Sequence, residues 1–240
     1  VGAGAGHWAV VLLQHMGACR QLICLDNDPH WIQLLGGKRW PADVSCTSML
    51  ADAHEIPLPS NSVDVVTCQT LLMHCARPVN VLREMFRVAR VGGQILIVEP
   101  VNLLNRFLVP HALRYLSPHE RANLIQYISC MHAGKALMEM SDQDIAISLP
   151  DMLHEVGAEN VTVFQNDKVS FVSQQEVAAI ANEMEEDDFV SLARAGGASD
   201  ETIALGNQSA RKIVSESVAS GGLEFASMNT YVFHAIKRSE

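Results

Sequence analysis

Residues 21–37, QLICLDNDPHWIQLLGG, combine a short apolar run, an acid, a turn and an amphipathic segment. The run Gln21–Asp26 has the form of a buried parallel strand that ends in a carboxylate. Asp28 and Pro29 are typical of a helix N-cap and a first helical residue, and the glycine pair 36–37 is typical of a helix end. The stretch therefore predicts a strand followed directly by a helix, as in a βαβ unit.

The same alternation continues along the chain. Further strands are predicted at the following stretches: 43–49, 62–68, 94–100, 160–165 and 229–237. A helix is predicted over 79–93, with its end at Arg90 and the glycine pair 92–93. Strands that alternate with helices at this spacing predict right-handed βαβ units. We therefore expect an α/β fold, with a doubly wound, mostly parallel, seven-stranded Rossmann-like sheet whose last strand is antiparallel.

Two helical segments interrupt this rhythm, at residues 101–145 and 173–222. Their starts carry capping-box patterns, in which a serine is followed three residues later by an acid: Ser117 with Glu120, Ser141 with Asp144, and Ser173 with Glu176. We interpret residues 1–240 as a single domain, with a cofactor-binding half at 1–100. The two helical segments are predicted to form a lid over the carboxyl edge of the sheet.

Composition limits the partners. The net charge is −10 and Lys and Arg are not clustered, which argues against a nucleic-acid partner. No apolar run is long enough to span a bilayer, so no membrane partner is expected. The six cysteines are scattered without metal-ligand spacing, which predicts no metal site and free thiols in a reducing, cytoplasmic compartment. A small-molecule substrate is favoured, and a homodimer is left open.

The chain begins with a glycine loop, Gly2-x-Gly4-x-Gly6, which lets a ligand approach the backbone closely. With Ala9 the loop also satisfies a GxGxxA dinucleotide pattern. Asp26 lies twenty residues beyond Gly6, where an acid can hold two ribose hydroxyls. These features suit NAD and S-adenosylmethionine equally.

Asp52 and Ala53 follow the predicted strand 43–49. A carboxylate there can accept a hydrogen bond from the adenine amine, and the neighbouring N–H can meet a ring nitrogen. Together with Asp26, these positions surround one adenosine and provide nothing specialised for a second nucleotide. They favour S-adenosylmethionine. Asp64, at the start of the next strand, is interpreted as a structural acid.

Together, these residues resemble the class I S-adenosylmethionine-dependent methyltransferases, of the type 11 and type 25 groups. The similarity covers about residues 1–100 and, in outline, the final strand pair. It runs through VGAGAG, ICLDND, DAHEIPLPSNSVDVV, QTLLMH and VARVGGQILIVEP. The family normally has an acid two residues before the first glycine, for which this chain has no residue, and ARVGG replaces its usual LKPGG turn. We therefore expect the chain to be a fragment cut just before its glycine loop, which binds cofactor more weakly than its parent.

The resemblance implies S-adenosylmethionine as cofactor and assigns its binding positions: Gly2, Ala3, Gly4 and Gly6 at the methionine part, Asp26 and Asn27 at the ribose, Asp52 and Ala53 at the adenine, and the Gln69 backbone at the methionine end.

Methyl transfer is an in-line displacement at a sulfonium carbon, so positioning and desolvation supply much of the acceleration. Some acceptors also need a base, for which the candidates are Glu99 and His74, with Asn102 nearby in sequence. Three lid residues, Tyr115, Tyr127 and His132, could contact substrate, but their apolar neighbours favour a packing role. The absence of an Asn-Pro-Pro-Tyr type motif disfavours methylation of a base or amide nitrogen.

The leading hypothesis is thus a methyltransferase for a small-molecule acceptor, at oxygen, nitrogen or carbon. An NAD-dependent oxidoreductase is the second, although no Tyr-x-x-x-Lys pair is evident. A catalytically silent S-adenosylmethionine-binding protein is the third.

Overall fold

The apolar run Gln21–Asp26 forms a strand, and the alternation of strands and helices that follows it is present in the computed structural model. The described residues are 1–16, 18–102, 110–139, 142–166, 169–221, 224–227 and 229–238. The strands are β1 (Gln21–Asp26), β2 (Ser45–Leu50), β3 (Val63–Gln69), β4 (Ala89–Pro100), β5 (Glu159–Gln165), β6 (Val169–Val172), β7 (Glu224–Ser227) and β8 (Thr230–Ile236). The α-helices are α1 (His7–His15), α2 (Pro29–Gly37), α3 (Pro78–Val88), α4 (Pro118–Glu139), α5 (Leu149–Glu155), α6 (Gln174–Glu183), α7 (Asp187–Ala195) and α8 (Asp200–Ser220).

The chain divides into two compact units. The first comprises Val1–Glu99, Ala146–Phe164 and Tyr231–Glu240, and the second comprises Pro100–Ile145 and Gln165–Thr230. The helical segments predicted at 101–145 and 173–222 fall within the second unit. Their role as a lid remains a prediction.

The strands form three separate sheets in the part of the chain that the structure describes. β1 pairs in parallel with β2, and a four-stranded sheet has the order β3-β4-β8-β5, in which β3 and β4 are parallel. Hydrogen bonds from Gly92 N–H to the Lys237 carbonyl and from Val101 N–H to the Asn229 carbonyl show that β8 runs antiparallel to β4. β6 and β7, which the sequence did not predict, form an antiparallel pair.

The expected single seven-stranded sheet is therefore wrong for the described strands. β1 and β3 belong to different sheets and are not hydrogen-bonded to each other, and residues of both strands line a cavity of about 660 Å³. The first residues bridge these strands at one end. The Val1 amino group donates to the Thr67 carbonyl at 2.8 Å, and the Ala3 N–H donates to the Leu25 carbonyl at 2.9 Å.

Local capping signals fix several helix starts. The Asp28 side chain accepts the His30 N–H at 2.8 Å and begins α2. Ser117 with Glu120 and Ser173 with Glu176 form the predicted capping boxes of α4 and α6. The capping box predicted at Ser141 lies outside the described residues.

The end of α3 differs from the prediction. The helix ends at Val88, and the residues from Ala89 onward, which were assigned to the helix, belong to β4. Ala89 is fully buried and pairs with Val63 of β3. Burial and strand pairing at this point outweigh the local signal of Arg90 and the glycine pair. Arg90 forms an ion pair with Asp64, as expected for a structural acid.

The second unit packs α4 against α7 and α8. Its core contains Tyr127, Met131 and Phe189, and the Tyr127 and Phe189 rings lie 5.4 Å apart. Gly134 of α4 and Gly196, just after α7, lie so close to the facing backbone that a Cβ would collide with it. These glycines allow the close approach of α4 and α7.

No helix within the described ranges is both long enough and apolar enough to cross a membrane.

Candidate functional site

The glycine loop, residues 2–6, leads directly into α1. Gly2, Gly4 and Gly6 have φ angles of 61°, 50° and 75°, in the left-handed region that residues with side chains rarely adopt. A Cβ at Gly2 would lie 2.7 Å from Cδ1 of Leu71. At Gly4 a Cβ would meet nothing within 4 Å. The loop is thus close-packed at Gly2 and open at Gly4, where a ligand can approach the backbone.

Asp26 ends β1 and binds the glycine loop through its side chain. Its Oδ2 accepts the Gly4 N–H at 2.8 Å, its Oδ1 accepts the Asp28 N–H at 3.1 Å, and the residue is only 7% exposed. Because each carboxylate oxygen can accept two hydrogen bonds, both oxygens retain capacity for a ligand hydroxyl. The ribose role of Asp26 stays a prediction. The hydrogen bond by which Asp26 holds the glycine loop was not predicted from the sequence.

Two side chains that the sequence reasoning missed also hold this region. Lys38 Nζ donates to the carbonyl of Ala5, within the loop, at 2.9 Å. Trp8 Nε1, in α1, donates to Thr67 Oγ1 of β3 at 2.8 Å. A lysine after a helix and a tryptophan near a helix start carry no distinctive signal, so only the fold could reveal them.

Asp52 and Ala53 follow β2, whose last residue, Leu50, lies opposite Asp26. Asp52 Oδ1 accepts the His54 N–H at 2.9 Å and lies 2.7 Å from His54 Nδ1. The hydrogen bond from the His54 backbone, followed by that from its side chain, holds the pKa of the Asp52 carboxyl below its usual range. Asp52 is therefore an exposed, ionised acceptor, whereas Ala53 is buried. His54 was not predicted.

Asn27 and Gln69 are both exposed at strand ends. Asn27 follows the last residue of β1, and Gln69 is the last residue of β3 and pairs with Val98 of β4. His74 is exposed at the end of a short 3₁₀ helix, Leu72–His74. This exposure leaves the His74 imidazole accessible, and its role as a base stays a prediction.

Glu99, the other predicted base, has no exposed surface. Its Oε1 accepts the Leu71 N–H at 2.8 Å and the Leu72 N–H at 2.7 Å. Burial raises the pKa of the Glu99 carboxyl to about 7, against the opposing effect of backbone N–H groups from Leu72, Leu71 and Met73. These contacts favour a carboxyl that holds the turn after β3. Its catalytic role stays a prediction.

The predicted lid residues lie in the second unit. Tyr127 is fully buried, and its hydroxyl donates to the Met184 carbonyl at 2.6 Å, which indicates a packing role. The Tyr115 hydroxyl lies 2.6 Å from Ser220 Oγ. His132 is 7% exposed, with Nδ1 at 3.6 Å from Asp144, which is too long for a hydrogen bond. Asn102 donates its backbone N–H to the Gln143 carbonyl at 3.2 Å.

Within the first unit, the predicted cofactor positions converge. The glycine loop is hydrogen-bonded to Asp26 and packed on Leu71, and the ends of β1 and β2 lie side by side. The first unit therefore provides an accessible glycine backbone at Gly4, the carboxylates of Asp26 and Asp52, and the end of β3 as candidate contacts for a cofactor. In the described ranges, no group of three His, Cys, Asp or Glu side chains could hold a metal ion.

Comparison with known proteins agrees with this geometry. A family model described as "Methyltransferase domain" matches residues 1–97. The demethylmenaquinone methyltransferase of Listeria monocytogenes serotype 4a is 29% identical over 97 residues, which are 40% of this chain and 41% of that protein. The chloroplastic 2-methyl-6-phytyl-1,4-hydroquinone methyltransferase of Spinacia oleracea is 27% identical over 101 residues, 42% of this chain and 28% of that protein. The alignment thus spans less than half the length of these relatives.

Solved structures match the whole chain at low identity. The YcgJ protein of Bacillus subtilis matches with a TM-score of 0.54 at 15% identity, and the match covers 100% of this chain and 90% of the YcgJ chain. The BH2331 protein of Bacillus halodurans C-125 has a TM-score of 0.52 at 14% identity and covers 99% and 90%. These matches show the Rossmann-like fold with its sheets and helices. The resemblance to class I methyltransferases is confirmed for residues 1–97.

Proposed function

We propose that this chain, whose residues 1–97 carry a methyltransferase domain, is an S-adenosylmethionine-dependent methyltransferase for a small-molecule acceptor. The observation that carries the proposal is the glycine loop, which is hydrogen-bonded through Gly4 to Asp26 at the end of β1. This contact brings together a glycine backbone that a ligand can approach closely and a carboxylate that can accept hydrogen bonds. An adenosine ligand with a polar tail requires both features.

The residues fit this cofactor. The open space at Gly4 leaves room beside the loop, and Asp26 retains lone pairs for the ribose hydroxyls. Asn27 lies next to Asp26 and is exposed. The ionised Asp52 carboxylate can accept a hydrogen bond from the adenine amine. When bound, the cofactor would supply an electrophilic methyl group on a sulfonium sulfur.

The remaining cofactor assignments concern the methionine end. We place it near the residues that surround the start of α1 and the end of β3, which are Gly2, Ala3, Gly6 and the Gln69 backbone. The chain itself then contributes orientation and exclusion of water, which suffice for much of the rate of an in-line displacement. His74, which is exposed at the end of Leu72–His74, is the candidate proton acceptor for acceptors that need one.

The acceptor remains open in this proposal. Both named relatives act, by their names, on compounds of the quinone or hydroquinone type, but they match only 97 and 101 residues of this chain, and the family model matches residues 1–97. That part contains the proposed cofactor positions, so the similarity carries no information on the residues that would bind the acceptor. A panel of acceptors should therefore include a demethylmenaquinol and a phytyl hydroquinone beside simple hydroxyl and amine compounds.

Isothermal titration calorimetry tests the proposal. S-adenosylmethionine and S-adenosylhomocysteine are expected to bind at one site, and NAD is expected not to bind. Binding of NAD without either sulfur compound would overturn the proposal in favour of an oxidoreductase. If the sulfur compounds bind but no methyl group from labelled S-adenosylmethionine reaches any member of the panel, the catalytically silent alternative gains.

A further inference from the structure

The turn that follows β3 has an unusual backbone. Thr70 has a φ of 50°, in the left-handed region. A β-branched residue is strained there, because its Cβ substituents crowd the backbone. Such a conformation persists only where the surroundings enforce it.

The end of β4 supplies the restraints. The Thr70 N–H donates to the Val98 carbonyl at 2.8 Å, and the next two N–H groups, of Leu71 and Leu72, both donate to Oε1 of Glu99. Three successive amides of the turn are thus held by two successive residues of β4. The Glu99 contribution comes from a single side chain, so it can be removed without altering the strand.

In the part of the chain that the structure describes, the titratable groups around Glu99 form no ion pair with its carboxyl. Its titratable neighbours are the thiols of Cys68, in β3, and Cys75, just after the 3₁₀ helix. Burial raises the pKa of both thiols, that of Cys75 to about 11, so both are neutral at physiological pH. The interactions with the turn amides are therefore the main specific contacts of the carboxyl.

The same turn reaches the proposed cofactor site from two directions. Gln69, the residue before Thr70, is assigned to the methionine end through its backbone. On the other side, the Leu71 side chain packs directly against Gly2 of the glycine loop. A change in the turn would therefore move both the backbone of Gln69 and a surface that supports the glycine loop.

We propose that Glu99 is a positioning residue, whose carboxyl holds residues 69–74 in the conformation that binds the methionine end of the cofactor. This inference rests on the proposed function. It assigns Glu99 a role through the turn and not as the proton acceptor, which leaves His74 as the candidate base.

Two measurements test the inference, and the first needs no ligand. In amide hydrogen exchange, Glu99→Ala is expected to lower the protection of the Leu71 and Leu72 amides at least tenfold. Glu99→Gln keeps an acceptor oxygen, so the protection of these two amides is expected to stay within about threefold of the wild-type value. The exposed Glu155→Gln, which alters an ion pair with Arg83 elsewhere in the same unit, is the matched control.

The second measurement is the affinity for S-adenosylhomocysteine by calorimetry. Glu99→Ala is expected to weaken binding at least tenfold and Glu99→Gln less than threefold. Adding Thr70→Gly to Glu99→Ala is expected to recover part of the loss, because glycine adopts the left-handed conformation without strain. If Glu99→Ala does not fold, Glu99→Asp, whose shorter side chain cannot reach both amides, is expected to weaken binding at least fivefold.

Three results would overturn the inference. The first is unchanged protection of the two amides in Glu99→Ala, and the second is unchanged affinity despite lost protection. The third is a loss of methyl transfer of more than a hundredfold in Glu99→Gln with normal cofactor binding, which would identify a general base. If the wild-type chain binds no S-adenosylhomocysteine, the proposed function fails. If the wild type and Glu99→Ala both bind it with the same affinity, only the positioning role is refuted.

Discussion

Replacing Glu99 with Gln is predicted to reduce the dependence of folding stability on pH. Burial raises the pKa of this carboxyl from 4.5 to about 7 in the folded protein. Between these values the folded state keeps a proton that the unfolded chain releases. The folded state therefore loses stability as the pH rises from about 4.5 to about 7, and the loss is complete above that range.

The size of the effect follows from the pKa difference. A pKa that moves from 4.5 to about 7 corresponds to about 3 kcal/mol, at about 1.4 kcal/mol per pKa unit. Of this, roughly 2.5 kcal/mol falls between pH 5 and pH 8, because the unfolded carboxyl is already partly ionised at pH 5. Glu99 has no exposed surface, so solvent screening does not call for a reduction of this figure.

Urea unfolding followed by tryptophan fluorescence measures this effect in the relevant unit, because Trp8, Trp31 and Trp40 all lie in the first unit. The wild type is expected to lose about 2.5 kcal/mol more than Glu99→Gln between pH 5 and pH 8. Groups other than residue 99 that titrate in this range are common to both proteins, so their contributions cancel in the comparison. Equal pH dependence of the two proteins would refute the reasoning.

Three further substitutions test separate contacts. Asp26→Ala is predicted to weaken S-adenosylhomocysteine binding by about 1–3 kcal/mol in calorimetry, through loss of charge-assisted hydrogen bonds, and unchanged affinity would exclude the ribose role. Gly134→Ala should destabilise the second unit by about 1–3 kcal/mol or more in urea unfolding followed by far-UV circular dichroism, because its Cβ meets the backbone of α7. Gly36→Ala, with no atom within 4 Å of its Cβ, should cost nothing. Tyr127→Phe removes the donor to the buried Met184 carbonyl and should cost about 1–3 kcal/mol in urea unfolding followed by far-UV circular dichroism, which reports the helices of the second unit. An unchanged midpoint would show that this bond contributes little.

Features set by near neighbours in sequence were predictable. The strand Gln21–Asp26 has the predicted bounds, and Asp28 caps α2 as expected. Both capping boxes that can be evaluated, at Ser117 and Ser173, are formed. In each of these helix caps the donor and acceptor are two or three residues apart, so the local sequence contains the whole interaction.

Features set by pairing across the fold were not predictable. The pattern of strands gave no information on which edges are joined, so a single seven-stranded sheet was expected where β1 and β3 border a cavity. The end of α3 was misplaced for the same reason. Arg90 and the glycine pair are a good local signal for a helix end, but the burial of Ala89 and its pairing with Val63 decide the structure.

The two carboxyls that drew attention in the sequence, Asp26 and Glu99, show how this limit affects a candidate site. Both were selected because an acid at a strand end faces the ligand edge of a parallel sheet. Both prove to accept backbone N–H groups of neighbouring turns, Asp26 from Gly4 and Glu99 from Leu71 and Leu72, over separations of 22 to 28 residues. Tight turns at that edge leave amides that need acceptors as much as a ligand does. An acid there can therefore serve the turn, the ligand or both, and only variants that keep the acceptor oxygen while removing the charge distinguish these roles.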